Sequence, residues 1–213
     1  LTDELMHKLT EETVNKNTEE YAAIAQVAVD IVIRNLFERT ADIGFLATDD
    51  DIRDYVQYLQ KGVFDTDEAR QEKRARKDGM VQRFKDYVAK YSVYSDIILL
   101  DPSGKVLAQL DTDNPIRSSS DSLLEEAAST TAEYVEVYRH NDLCPHQDKT
   151  LIYAYRVTKS NEQGSELLGI LCLVFRFENE MQGIFNNLKD ENDWFEIMLL
   201  DKDGGVIASS DQY

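Results

Sequence analysis

Residues 96–111 read DIILLDPSGKVLAQLD, and residues 196–211 read EIMLLDKDGGVIASSD. Eight of these sixteen positions are identical at an offset of 100: Ile97/Ile197, Leu99/Leu199, Leu100/Leu200, Asp101/Asp201, Gly104/Gly204, Val106/Val206, Ala108/Ala208 and Asp111/Asp211. Each copy has the form strand, four-residue turn, strand. In the first, Pro102 suits the second turn position and Gly104 the position that needs a positive φ. The matches fall on strand residues as well as turn residues, so the two stretches read as copies rather than as two unrelated hairpins. A period of this length is domain-sized and far longer than a solenoid repeat.

Outward from the first copy, the upstream chain is helical. The three prolines, Pro102, Pro115 and Pro145, leave the first 101 residues free of helix breakers. Thr2 is placed to cap a long first helix that runs to about Ala47. Its early part is thinly apolar (Leu5, Leu9, Val14). From Tyr21 to Phe37 the apolar residues are nearly continuous, so that half must be covered on several sides while the first half projects. Thr48, followed by Asp49, Asp50 and Asp51, marks a second helix start. Ile52, Tyr55, Val56 and Leu59 then recur at helical spacing, and Gly62 ends the segment. A third helix begins near Asp67. Its stretch Arg70–Asp78 is highly charged and reads as a solvated face. Its apolar side comes late, at Met80, Val81, Phe84, Tyr87 and Val88.

Downstream, Ser122–Thr130 reads as a short helix, and Tyr134–Arg139, Leu151–Val157 and Leu167–Phe177 as strands. The last is apolar from Leu167 to Val174 without alternation, which predicts a central strand buried on both faces. Asn179–Leu188 reads as a short amphipathic helix or exit turn. The fold class is therefore α+β: a long N-terminal helix, an antiparallel five-stranded sheet flanked by helices, and the start of a second hairpin module.

Composition narrows the function. The chain has 213 residues, with Lys plus Arg 23 and Asp plus Glu 41, for a net charge of −18. Phosphate binding needs a basic face, so nucleic acid is disfavoured as a partner. Two cysteines, Cys144 and Cys172, are too few for a disulfide scaffold or a four-thiolate zinc site. The chain begins at Leu1 without an initiator Met and stops inside the second hairpin region, so it is expected to be a piece of a longer protein.

No catalytic constellation is present: no nucleotide-cradling Gly-rich loop, nucleophile elbow or H-E-x-x-H. An enzymatic role is therefore not expected, and no cofactor is implied. The loop His140-Asn-Asp142-Leu-Cys144-Pro-His146-Gln-Asp148 offers borderline-metal ligands, but the spacing fits no zinc template. His140, Cys144 and His146 are weak metal candidates. A plain polar loop, or a Cys144–Cys172 disulfide in an oxidising compartment, reads the same residues. A small-molecule pocket is the stronger candidate. Period two puts Tyr153 and Tyr155 on one face of their strand, and Tyr134, Glu136 and Tyr138 on one face of theirs. Aromatics with polar tips suit small polar ligands, although tyrosine is also an ordinary strand residue. Arg139, Arg156 and Arg117 are the nearby cations, and an arginine in an acidic protein suits a carboxylate.

The long helix, two shorter helices, "IILLDPSGKVLAQLD", "LGILCLVFRFENEMQGIF" and "IMLLDKDGGVIASSD" together resemble double-Cache (PAS-like) sensor domains. The resemblance covers essentially the whole chain. Such domains are the extracytoplasmic modules of bacterial chemoreceptors, sensor histidine kinases and cyclic-dinucleotide enzymes. The resemblance implies a long helix over 1–47, a membrane-distal module over 48–188, and the truncated start of a membrane-proximal module over 189–213. It implies a periplasmic location for part of a bacterial inner-membrane protein, an unidentified small-molecule ligand, and a homodimer through the N-terminal helix. The alternative within the same resemblance is a structural spacer and dimerisation module that senses through a partner protein. Amino-acid-binding members carry an Arg-x-Trp-Tyr signature after the first hairpin. This chain has NPIRSSSDSLLEE there, with Arg117 but no Trp or Tyr, which disfavours an amino-acid ligand.

Overall fold

The computed structural model describes residues 2–161, 164–190 and 194–211. Helix α1 runs unbroken from Thr2 to Ala47. Thr48 does not cap the next helix; its hydroxyl donates back to the Gly44 carbonyl at 2.8 Å. Asp49 takes the capping role instead, its carboxylate accepting from the Asp51 amide, and α2 spans Asp50–Lys61 before Gly62. A carboxylate one residue closer to the first turn reaches the free amides and also meets their positive end. Thr66 caps α3, Asp67–Lys90.

The chain divides into two compact units, Glu38–Phe177, and Leu1–Phe37 with Glu178–Tyr213. The Glu38–Phe177 unit contains five strands: β1 (Tyr94–Leu100), β2 (Val106–Gln109), β3 (Tyr134–Arg139), β4 (Thr150–Asn161) and β5 (Gly164–Phe175), with α4 at Leu123–Ser129. They form one antiparallel sheet in the order β2-β1-β5-β4-β3. The apolar run read as a central strand is β5, in the middle of the sheet and buried from Leu168 to Phe175. Strand β4 continues to Asn161, beyond the apolar segment that announced it, because its last residues pair with the start of β5.

The two faces of this sheet are packed differently. Pairing puts Tyr153, Leu173 and Ile97 on one face, and Ala154, Cys172 and Ile98 on the other. The first face lies under helices. Tyr94 donates to the Asp42 carboxylate at 2.6 Å, and the Arg39 guanidinium sits 5.7 Å from the centroids of the Tyr94 and Phe175 rings. Tyr55 of α2 donates to the Leu107 carbonyl at 3.1 Å. The second face carries a core of Ile98, Leu100, Val137, Ile152, Ala154, Ile170, Cys172 and Val174, closed by Leu123 and Ala127 of α4 and by Leu143. Burying a Leu or Ile side chain stabilises by about 1.5–3 kcal/mol, so this face contributes a large share of the unit's stability.

In the other unit, α5 (Phe177–Asn187, from Glu178 on) precedes β6 (Met198–Leu200) and β7 (Val206–Ser209), which form a separate two-stranded sheet. Tyr21 of α1 meets Trp194 and Phe195 at centroid distances of 5.6 and 5.3 Å. Among the described residues, no helix is long and apolar enough to cross a membrane.

Candidate functional site

The sheet pairing decides which expected ligand residues share a surface. Tyr134 faces Tyr155, Glu136 faces Tyr153 and Tyr138 faces Leu151, so the tyrosines of each strand share a face, as period two predicts, and the cross-strand register puts all four on the same one. Arg139 faces Thr150 and Arg156 faces Ile170, one step out of phase. Neither arginine reaches the tyrosine face. Arg139 instead holds α4 to β3, donating to Asp121 at 2.8 Å, Ser122 at 2.9 Å and Glu126 at 3.0 Å. Arg117 is also elsewhere, its guanidinium donating to the Ile116 and Asn114 carbonyls at 2.7 and 3.3 Å. The expected constellation of tyrosines with an arginine clamp is therefore not assembled.

The tyrosine face is a packing surface. Tyr153 is 0% exposed, and its ring lies 6.2 Å from that of Tyr134. Its hydroxyl has no partner within hydrogen-bonding geometry, and burial drives its pKa upward, helped by the negative charge of Glu136. Tyr138 packs edge-on against Phe177 at 5.4 Å.

The loop that offers His140, Cys144 and His146 as weak metal candidates does not bring them together. Among the described residues no three His, Cys, Asp or Glu side chains converge on a common point. His140 is exposed, with Nδ1 3.3 Å from the Gln147 carbonyl oxygen. Cys144 is buried in the apolar core, and both cysteines are free. Burial raises the Cys144 thiol to about 12, which leaves it protonated and unreactive. The sequence separation was short, but the loop turns Cys144 inward and the histidines outward.

The concavity that does form at this loop has a volume of about 180 Å³ and is lined by Asp96, Asp111, Asp113, Asn114, Cys144 and His146 among others. Asp96, 3% exposed, organises it. One carboxylate oxygen accepts from the amides of Ile97, Leu110 and Asp111 at 2.8, 3.1 and 2.9 Å. The other accepts from the Asn114 amide at 3.2 Å, and Asn114 also donates to the Leu143 carbonyl at 2.8 Å. Burial raises the Asp96 carboxyl to about 6, against the pull of the hydrogen bonds from Asp111, Asn114 and Ile97. Sequence reading passed over Asp96 because it looked like the first residue of a strand. Its signal was an acid placed just before an apolar run whose hairpin partner returns to it.

No family model matches the sequence, and no curated protein matches it. Solved structures do match. The sensor domain of the Vibrio cholerae histidine kinase DctB aligns with a TM-score of 0.64 at 12% identity, covering 91% of this chain and 66% of that one. A domain of a sensory box/GGDEF family protein from Vibrio parahaemolyticus aligns with a TM-score of 0.55 at 15% identity, covering 95% and 73%. The sensory domain of the Campylobacter jejuni chemoreceptor Tlp3 aligns with a TM-score of 0.50 at 12% identity, covering 88% and 69%. The chain thus spans about two thirds of the length of these solved domains, and its fold is the Cache-like α+β fold they share.

Proposed function

We propose that this chain is the extracytoplasmic sensor region of a bacterial transmembrane signalling receptor. Residues 48–188 are read as its membrane-distal module and residues 189–213 as the start of a proximal one. The observation that carries this reading is the duplicated hairpin: two copies 100 residues apart, with matching register, in separate sheets and downstream in sequence of one 46-residue helix. The likeness in fold to solved sensor domains supports the same reading. The site in the distal module is the Asp96–Asn114–His146 cleft. It presents carboxylates and no cation, so it suits a ligand with hydrogen-bond donors or positive charge. At about 180 Å³ it is smaller than the roughly 300–1,000 Å³ usual for organic ligands. The ligand must be small, or Pro145–Gln147 must move to admit it. Signalling requires the ligand to bind one of two conformations more tightly than the other.

Thermal-shift screening of small amines, polyols and metabolites tests this. The reading expects at least one compound to raise Tm, with the shift lost in His146→Ala/Asp113→Ala, whose side chains line the cleft without supporting the core. A second reading has a specific observation in its favour. The face beneath α4 is filled by apolar side chains, as befits a spacer and dimerisation module that senses through a partner protein. No Tm shift with any compound, together with capture of a periplasmic binding protein, would move the assignment to that reading.

A further inference from the structure

The charged stretch of α3 is exposed from Arg70 to Gly79, as a solvated face predicts, but its cations are not spread evenly round the helix. Arg70, Lys73, Arg74 and Lys77 stand at i, i+3, i+4 and i+7, which is one stripe of a helix. The stripe continues at Met80, Phe84 and Tyr87, the three buried residues of α3. One side of this helix is therefore apolar and buried in its second half, cationic and exposed in its first. The exposed cationic half lines a cleft of about 610 Å³ between α2, α3 and the β1–β2 hairpin, which adds Lys105 as a fifth cation. Its apolar wall comes from Val56, Leu59 and Phe64, with Leu107.

The charges in the cleft are poorly neutralised. Arg70 is paired with Asp67 at 2.5 Å, and Lys73 lies 4.3 Å above the Phe64 ring. Glu72 is taken by Arg76, outside the cleft, at 2.9 Å. Among the described residues Asp101 is the one acid lining the cleft, and its carboxylate already accepts from the amides of Ser103 and Lys105. Asp78 lies close enough to act on the Tyr55 hydroxyl in the wall. The side chains of Arg74, Lys77 and Lys105 make no hydrogen bond or ion pair among the described residues. A chain of net charge −18 has thus gathered five of its 23 cations around one concave, partly apolar surface.

We infer that this cleft binds a soluble organic anion with an apolar body: a carboxylate, sulfonate or phosphate head among Arg74, Lys77 and Lys105, and an aromatic or aliphatic portion against Leu59 and Phe64. The volume lies within the usual range for small-molecule sites. Charge-assisted hydrogen bonds would fix the head, and burial of the body would supply the hydrophobic part. The site lies apart from the Asp96 cleft, so the two recognise opposite charge.

Anilinonaphthalene sulfonate is a suitable probe, followed by fluorescence at low salt with the purified chain. The expected result is saturable binding that weakens at least about tenfold in Arg74→Glu/Lys77→Glu. Binding should stay within about twofold in Lys8→Glu/Lys16→Glu, which changes net charge equally but far away in the sequence. Both pairs are exposed, and Arg74→Gln/Lys77→Gln repeats the test without charge reversal. Equal binding by the cleft variant and the wild type would overturn the inference, as would equal loss in both charge-reversal pairs. Inorganic sulfate should not displace the probe at matched ionic strength; displacement by sulfate would remove the apolar wall from the account. Sedimentation with phosphatidylglycerol vesicles separates a free anion from a lipid. The protein should stay in the supernatant, and cosedimentation abolished by Arg74→Glu/Lys77→Glu would overturn the soluble-ligand assignment.

Discussion

The β1–β2 and β6–β7 hairpins have the same local conformation in different surroundings. In the first, the Asp101 amide donates to the Lys105 carbonyl at 2.9 Å; in the second, the Asp201 amide donates to the Gly205 carbonyl at 2.8 Å. Each aspartate carboxylate accepts from the amides two and four residues on. Gly104 has φ +89° and Gly204 φ +85°. Leu100 pairs with Val106 past a bulge after Leu99, and Leu200 pairs with Val206 past a bulge after Leu199. Yet Leu100 is fully buried while Leu200 is 51% exposed. The Asp-x-x-Gly turn sets the hairpin's geometry, and the neighbouring strands and helices set its burial. Beyond the turn the copies diverge. Asp96 gathers three amides at the end of the first hairpin, whereas Glu196 is longer and accepts instead from the Ser209 hydroxyl.

The difference predicts unequal costs for equivalent changes. The largest gap should come from the glycines. A Cβ at Gly104 would stand 2.2 Å from the Ser119 carbonyl oxygen, while one at Gly204 would meet nothing within 4 Å. Gly104→Ala should cost about 4 kcal/mol, from left-handed backbone strain plus a clash with main chain, against about 1–2 kcal/mol for Gly204→Ala. Urea denaturation measures both, and equal costs would break the comparison. Next, Leu99→Ala should cost about 3 kcal/mol, because Leu99 is fully buried in the five-stranded sheet, and Leu199→Ala less than about 1 kcal/mol.

A third effect is particular to the first hairpin. Asp96 sits at about 6 in the folded state, above its ordinary 3.8. Between those values the folded protein holds a proton that the unfolded chain has lost, so this group's contribution to stability falls as pH rises through that window. Relative to Asp96→Asn, the wild type should gain on the order of 2–3 kcal/mol on acidification from about pH 7 to about pH 4. Denaturation of the two proteins across that range measures it; a constant difference would mean Asp96 is not desolvated. The smallest effect should also be the most equal. Asp101→Ala and Asp201→Ala each remove the same two amide acceptors and should each cost about 1 kcal/mol of local stability, read by amide exchange in the two turns.

What the sequence made legible follows the same division between local chemistry and packing. The hairpins, the 46-residue helix and the central strand were readable because turn residues, the absence of proline and an unbroken apolar run are local signals. The site was less readable. Period two pairs the tyrosines within each strand, but the register that joins the pairs is not local, and which face of the sheet receives the helices depends on residues such as Arg39 and Asp42, more than fifty positions before Tyr94. The parity that groups the tyrosines also sends Arg139 and Arg156 to the opposite face, a consequence the residue numbers already contained. The α3 cations are exposed, as their density along the chain predicts. Counted around the helix, Arg70, Lys73, Arg74 and Lys77 align with Met80 and Phe84.

Residue-resolved amide hydrogen exchange on the whole chain, with cross-strand contacts assigned by NMR, tests the central claim of one hairpin unit used twice in separate sheets. The Leu99 and Ala108 amides should exchange only on global unfolding, while those of Leu199 and Ala208 should open far more easily in an identical register. Equal protection in the two copies, or contacts pairing residues 97–100 with 206–209, would contradict it.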